Sequence, residues 1–395
     1  MTFLQLDKTQ KQIQKAVKDF IKGEFKKEVI DDLVETYAFP EDIWRKAGEI
    51  GLIGLNFPEE YSGQGMGTFE SVLVAEALCR GDSSVGACLS MAGYGAGLIL
   101  RNGSDAQKAT WLPMVAQGEV LSSTAFTEPG IGNDLALSTT NALRQGDQWI
   151  INGTKTFVMN AGPLSGYYIV LCRTDPDASS PANAFSTILV ETGHEGISVR
   201  DVGSRLGRRL MPLSDVKFSQ VNVPLDNLIG KEKQGLDQVK TCLNETRVLA
   251  AAQAVGIAQG AFDRSLGHVK QREQFGRKLA DFQVTRQKLA DMATKIEASR
   301  LLTYQAARQF ENNRPGGEKQ SAMAKLHACR TAVEVCDESI QLLGGYGYMQ
   351  EYEVERYFRD AKVAEVFDGT QIVQKDIIAN ELVNKRPGES GCVWY

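Results

Sequence analysis

The strongest constraint on this chain is an abrupt change of hydrophobic period in its middle. From Leu6 to about Gly118, apolar residues return every three or four positions, as in IQKAVKDFIKGEF, IWRKAGEIGLIGL and SVLVAEALCRG, with Pro58, Gly63 and Gly65 as breaks. That spacing buries one face of a helix. Between Leu121 and about Leu228 the pattern shortens to WIINGTKTFV, GYYIVLCR, FSTILVET, GISVRDV and VKFSQVNV, separated by Gly, Asn, Asp and Pro. Short strands read this way. After Gly235 long helical runs return around Leu243–Lys270, Phe282–Asn312 and Glu318–Leu343, each too apolar on one face to stand alone. The expectation is an α+β multi-domain chain: an all-helical domain over 1–120, a β domain over 121–232, and a helical bundle with a tail over 233–395. A cleft where three such units meet suits a ligand.

Composition narrows the ligand. The 44 Lys+Arg against 49 Asp+Glu give a net charge of −5 without a polybasic block, so neither a nucleic acid nor an anionic membrane is an expected partner. The seven cysteines are scattered, with no CxxC pair, which points to free thiols in a reducing compartment. His194, His268 and His327 lie far apart, leaving little raw material for a zinc site. The start, MTFLQLDKTQKQIQKAVKDF, has no apolar core of a signal peptide and no transit-peptide character, so a cytoplasmic location is expected. Ser84–Leu100 is uncharged and holds four glycines; it is short for a membrane span and reads as a helix buried in protein.

Four segments could carry chemistry. Thr127-Glu128-Pro129-Gly130-Ile131-Gly132-Asn133-Asp134 lets backbone N–H groups approach a phosphate or a ring carbonyl, although a plain turn has the same composition. Arg272-Glu273-Gln274-Phe275-Gly276-Arg277 joins guanidinium groups to an aromatic ring, as pyrophosphate pairing with base stacking requires; a basic helix end would look alike. Gln341-Leu342-Leu343-Gly344-Gly345-Tyr346 is either a dinucleotide cradle or a helix C-cap. Further on, Val366-Phe367-Asp368-Gly369-Thr370 puts a carboxylate in an apolar setting, where it becomes a better proton acceptor, or simply places an Asp in a turn.

Taken together and in order, TEPGIGND, REQFGRKLADFQ, QLLGGYGYMQEYEVERYFRD and FDGT resemble the acyl-CoA dehydrogenase family over essentially the whole chain. The resemblance implies an N-terminal helical domain, a middle β-barrel or sandwich and a C-terminal four-helix bundle, assembled as a homotetramer with one FAD per subunit. It places Phe126 and Thr127 against the flavin ring and Gly132 and Asn133 near its side chain. Arg272, Gln274, Phe275, Phe282 and Gln283 would hold FAD across a subunit interface. Gln341, Gly344 and Gly345 would hold its adenosine half, with Thr370 and Ile372 closing the site. Asn244, Glu245, Thr246, Arg247 and Asn380 would line the acyl-CoA channel. Asp368 would take the α-proton while the β-hydride passes to flavin N5, and an electron-transfer flavoprotein would reoxidise the cofactor.

The departures from the family pattern concern the substrate. Asp368 stands where most members have Glu, so the base is shorter by about one C–C bond. Phe157 and Met159 replace the usual tryptophan and threonine beside the flavin, and Asn133 replaces a Ser or Thr. Glu245 is the alternative base, because some members carry theirs just before the arginine matching Arg247; one residue is about 100° around a helix, which should turn Glu245 away. The short base suggests a cyclic or α-branched acyl group, such as cyclohexane-1-carboxyl-CoA. The competing readings are a short- or medium-chain dehydrogenase, an oxidase, a dehydrogenase of carrier-protein thioesters, and an inactive scaffold paralogue.

Overall fold

A computed structural model describes residues 6–311 and 317–383. Seven helices lead: α1 (Lys8–Glu24), α2 (Lys27–Thr36), α3 (Glu41–Glu49), α4 (Thr68–Gly81), α5 (Ser83–Ser90), α6 (Ala96–Asn102) and α7 (Asp105–Ala116). Asp7 caps α1 reciprocally with Gln10, each side chain accepting the other's backbone N–H, which satisfies two donors that a helix start leaves unpaired. The run IWRKAGEIGLIGL is helical only as far as Glu49. Gly51 then takes φ 74, and the following residues form turns that become one wall of a cleft.

Ser84–Leu100 is not the single buried helix its apolar character suggests. Asp82 caps α5 by accepting from Ser84 N and Val85 N, the helix ends at Ser90, and α6 starts only at Ala96. The break is enforced at Gly95, which has φ 87 and whose added Cβ would lie 2.1 Å from Thr124 Cγ2. No side chain fits there, and only glycine takes that backbone shape without strain. Three hydrogen bonds pin the turn: Ser122 N to Ala92 O (3.0 Å), Ser122 Oγ to Tyr94 O (2.9 Å) and Asn160 Nδ2 to Met91 O (2.7 Å). Tyr94, at the middle of the turn, is therefore held from its own backbone.

The sheet comprises β1 (Leu121–Ala125), β2 (Asn141–Gln145), β3 (Gln148–Met159), β4 (Ser165–Arg173), β5 (Phe185–Glu191), β6 (Ile197–Asp201) and β7 (Leu213–Pro224). Its order is β1-β4-β2-β3-β7-β6, with β5 paired to β4. β1 runs parallel to β4, and β2–β3, β3–β7, β4–β5 and β6–β7 are antiparallel. Its core includes Trp149, Tyr168, Val170, Ile188 and Phe218. Strand β3 shifts register against β7 between Lys155 and Val158. Within that irregularity Phe157 has φ 52 and is 65% exposed; bulges of this kind re-aim side chains beside functional sites.

Helices α8 (Gly235–Gln271), α9 (Gln283–Glu311), α10 (Gly317–Leu343), α11 (Val354–Ala364) and α12 (Gln371–Val383) complete the described chain. The central α8 is not apolar on one face alone: Val248, Ala250, Ala251, Ala252, Ala254, Val255 and Ile257 are all buried. Helices α4, α9, α10 and α11 and strand β5 pack around it, so small residues are needed on every side. Segment 272–277 is not a helix end. After α8 the chain forms a two-stranded hairpin, β8 (Glu273–Gln274) and β9 (Arg277–Lys278), through Phe275 and Gly276, whose φ values are 54 and 74, the signature of a tight primed turn. Helix α10 starts at Gly317, while Pro315, Gly316, Cys392 and the tail beyond Val383 lie outside the described residues. Cys79, Cys88, Cys172, Cys242, Cys329 and Cys336 are free and buried. No helix of the described residues is long and apolar enough to cross a membrane.

Candidate active site

Asp368 lies in the turn between α11 and α12 with φ 54, next to Gly369 at φ 93. Asp tolerates this left-handed shape better than most side chains, yet the conformation still needs outside support. Lys325, from α10, supplies it. It is 1% exposed, and its Nζ donates to Phe367 O and, at 2.6 Å, to Gly369 O. Arg247 Nε, from α8, donates to Asp368 O at 3.2 Å, and Gln374 Nε2 donates to Asp368 O and Gly369 O at 3.2 and 2.9 Å. Arg208 stacks on the Phe367 ring, 4.6 Å from its centroid. The cations thus hold the backbone around Asp368 and leave its carboxylate alone. That carboxylate accepts one hydrogen bond, from Tyr94 OH to Oδ1 at 2.6 Å, while Oδ2 is buried and unpartnered. Burial and the neighbouring Asp368 charge push the Tyr94 phenol well above its ordinary pKa, so it stays a donor. A buried acceptor without a donor is costly in a resting protein and is a natural place for a substrate proton.

Tyr94 also lines a cleft bounded by Leu52, Leu55, Phe57, Val72, Leu89 and Leu249, with Ala75, Ser90, Gly93, Gly95 and Gly97 between them. Thr246 and Glu245 face the same cleft. The helix therefore does not turn Glu245 away. Instead, the carboxylate is occupied: Oε2 meets Arg101 Nη2 at 2.7 Å and Oε1 accepts from Asn56 Nδ2 at 3.4 Å. Asn244 Oδ1 accepts from Arg247 Nη1 at 2.8 Å, which orients the arginine toward the Asp368 backbone. Asn380 lies half-buried on α12.

The segment from Phe126 to Asn133 wraps around a buried ion pair that sequence reasoning missed. Lys155 Nζ donates to Phe126 O at 3.0 Å and to Glu128 Oε1 at 2.8 Å, with side chains 0% and 3% exposed. Glu128 also accepts from Thr139 N, Thr139 Oγ1 and Thr140 N. Burial opposes the Glu128 charge, but Lys155 and the backbone donors outweigh it and hold the carboxyl down at about 2. Burial pulls the Lys155 ammonium down as well, against the attraction of Glu128. The alternation of β3, which turns Lys155 inward, was the available signal. Thr127 is tied to β3 by Oγ1 to Thr156 O at 2.6 Å, beside the exposed Phe157 ring. Met159 and Phe367 pack on one apolar cluster with Met91 and Tyr94, so β3 and the Asp368 turn converge there.

A second group of predicted residues gathers on one C-terminal surface. Arg272 lies over the Tyr346 ring at 5.5 Å, Arg277 lies over Phe282 at 3.9 Å, and Phe275 meets Phe282 edge-on at 6.4 Å. Gln274, Gln283, Gln341, Gly344 and Gly345 are exposed. Ile372, at the start of α12 beside the Asp368 turn, is also exposed, and Thr370 is half-buried. A Cβ added at Gly132, Gly344 or Gly345 would meet nothing, so protein packing does not demand these glycines. Open backbone beside exposed rings and guanidinium groups fits a planar, phosphate-bearing cofactor.

Helices, a middle sheet and a helical bundle thus surround a carboxylate with one unpartnered oxygen. Family models for the acyl-CoA dehydrogenase N-terminal, middle and C-terminal domains match residues 7–119, 123–221 and 233–383. The chain is 37% identical to the mitochondrial isobutyryl-CoA dehydrogenase of Dictyostelium discoideum, over 95% of this chain and 90% of that one. It is 34% identical to the caffeyl-CoA reductase-Etf complex subunit CarC of Acetobacterium woodii, over 95% and 98%. The butyryl-CoA dehydrogenase structure from Megasphaera elsdenii superposes with a TM-score of 0.90 at 31% identity, covering 96% of this chain and 99% of that one. The chain belongs to the acyl-CoA dehydrogenase family; it is an enzyme, and its cofactor is FAD.

Proposed function

We propose that this enzyme dehydrogenates an acyl-CoA whose acyl group is cyclic or α-branched, with cyclohexane-1-carboxyl-CoA as the first candidate. The observation that carries this reading is the buried, unpartnered Oδ2 of Asp368, whose hydrogen-bond partner Tyr94 lines an apolar cleft. A short carboxylate reaches an α-carbon only if that carbon comes close, and a branched or ring-bearing acyl group would be held differently from a straight chain. The isobutyryl name of the Dictyostelium relative supports a branched substrate.

Asp368 Oδ2 takes the α-proton, and the C–H electron pair moves toward the thioester carbonyl. Stabilising that developing enolate is the main catalytic task, because a proton beside a thioester is only weakly acidic. FAD, when bound, supplies the two-electron acceptor for the β-hydride. Phe126, Thr127, Gly132, Asn133, Phe157 and Met159 would hold its flavin end. Arg272, Gln274, Phe275, Phe282 and Gln283 would hold FAD across a subunit interface, Gln341, Gly344 and Gly345 would hold its adenosine half, and Thr370 and Ile372 would close the site. Asn244, Glu245, Thr246, Arg247 and Asn380 would line the acyl-CoA channel. The apolar walls keep water from the carboxylate.

The exposure of Phe275 (94%) and Tyr348 supports a homotetramer in which these residues are covered. The Etf-complex name of the Acetobacterium relative supports an electron-transfer flavoprotein as acceptor. The division at 1–120, 121–232 and 233–395 is supported by the confinement of the seven-stranded sheet to 121–224. An anaerobic titration of the yellow protein with straight, branched and cyclic acyl-CoA esters tests the reading. Fastest flavin bleaching is expected with the cyclic or α-branched esters; preference for butyryl-CoA would reassign the enzyme to short straight chains.

A further inference from the structure

We propose that Tyr94 is the positioning residue of the base: its hydroxyl fixes Oδ1 of Asp368 and thereby reserves Oδ2 for the α-proton. The inference rests on the proposed dehydrogenation and adds to it a specific partner for the shortened carboxylate.

The geometry is constrained from both ends. On the Tyr94 side, the glycine-enforced break between α5 and α6 and the Ser122 hydrogen bond set the backbone, and the residue is 8% exposed. On the Asp368 side, Lys325, Arg247 and Gln374 hold the backbone carbonyls. A carboxylate on a fixed backbone retains rotation about its own side-chain bonds. The 2.6 Å hydrogen bond from Tyr94 is the contact that removes this freedom. The other charged groups around Asp368 do not compete for it. Arg247 comes from α8 and Lys325 from α10, and both donate to backbone oxygens; Arg208 lies against Phe367. Burial pushes the Cys242 thiol on α8 upward, so it stays neutral. A longer carboxylate would overrun the phenol, which ties Tyr94 to Asp at this position.

The test compares wild type, Tyr94→Phe, Asp368→Glu and the double variant as FAD-loaded proteins, by stopped-flow flavin reduction across pH. Tyr94→Phe should slow reduction about ten- to a hundredfold, the range for losing a hydrogen bond to a charged group, with FAD content and unfolding midpoint little changed. A hydrogen bond to the charged form favours that form, so its loss should move the acidic limb of the rate profile to higher pH. Asp368→Glu should be less harmful, or even restorative, in the Tyr94→Phe background, because the phenol no longer blocks the longer side chain. If wild type reduces normally and Tyr94→Phe keeps both rate and acidic limb, the positioning role is refuted while the proposed function stands. If Tyr94→Phe lowers rate and folding together without moving the limb, the role is structural and the inference is likewise overturned. Wild type that no acyl-CoA reduces would overturn both.

Discussion

Two loops of this enzyme pair a carboxylate with a buried lysine and use the lysine in opposite ways. At the start of the middle region, Lys155 donates to the Phe126 carbonyl and to the Glu128 carboxylate, which three further donors from Thr139 and Thr140 saturate. At the turn before α12, Lys325 donates only to the carbonyls of Phe367 and Gly369. Asp368 keeps one oxygen without a partner. The difference teaches that burial alone does not make a reactive carboxylate. A fully bonded carboxylate is a structural fastener, whereas one whose backbone is clamped but whose oxygen is free can accept a proton.

Asp368→Asn should open the largest gap between the loops: flavin reduction by acyl-CoA should fall about a hundred- to ten-thousandfold, the range for a general base, while the protein stays yellow. Retained turnover would transfer the role to Glu245. Lys155→Met should destabilise the fold by about 3–5 kcal/mol in denaturant titration, because it strands the buried Glu128 charge. The same pair has a pH signature. Glu128 is lowered from 4.5 to about 2 on folding, so its contribution is complete above 4.5 and is lost as pH falls toward 2. Glu128→Gln should flatten that part of the stability profile. Lys325→Met should cost about 1–3 kcal/mol in stability for the stranded carbonyls and slow flavin reduction; an unchanged rate would show that the Asp368 turn needs no clamp. Glu245→Gln should have the smallest effect, since a partly exposed ion pair contributes at most about 1 kcal/mol. A reduction rate differing more than about threefold from wild type would give Glu245 a part in the chemistry.

Much of this was legible beforehand. The change of period located the sheet, and five of its strands follow the alternating runs. β1 and β2 were not distinguished, because LSSTA is polar yet wholly buried and NALRQ is too short to show alternation. The hairpin turn at Phe275 and Gly276 follows from neither the cofactor-binding reading nor the alternative helix end, since arginine and glycine suit all three. Asp368 stood out by its apolar neighbours. Tyr94 did not: it lies inside Ser84–Leu100, whose uncharged residues imply burial but whose break depends on Thr124, thirty residues away by the collision at Gly95.

By itself, then, the sequence determined the order of helices, sheet and helices, the family and the cofactor, and it offered Asp368 and Glu245 as candidate bases, because hydrophobic period and clustered motifs are local properties of the chain. Only the tertiary structure decided which carboxylate is left free. That depends on where Tyr94, Lys155, Lys325 and Arg101 spend their hydrogen-bond donors, and each reaches its partner from a different element, across separations that residue spacing does not encode.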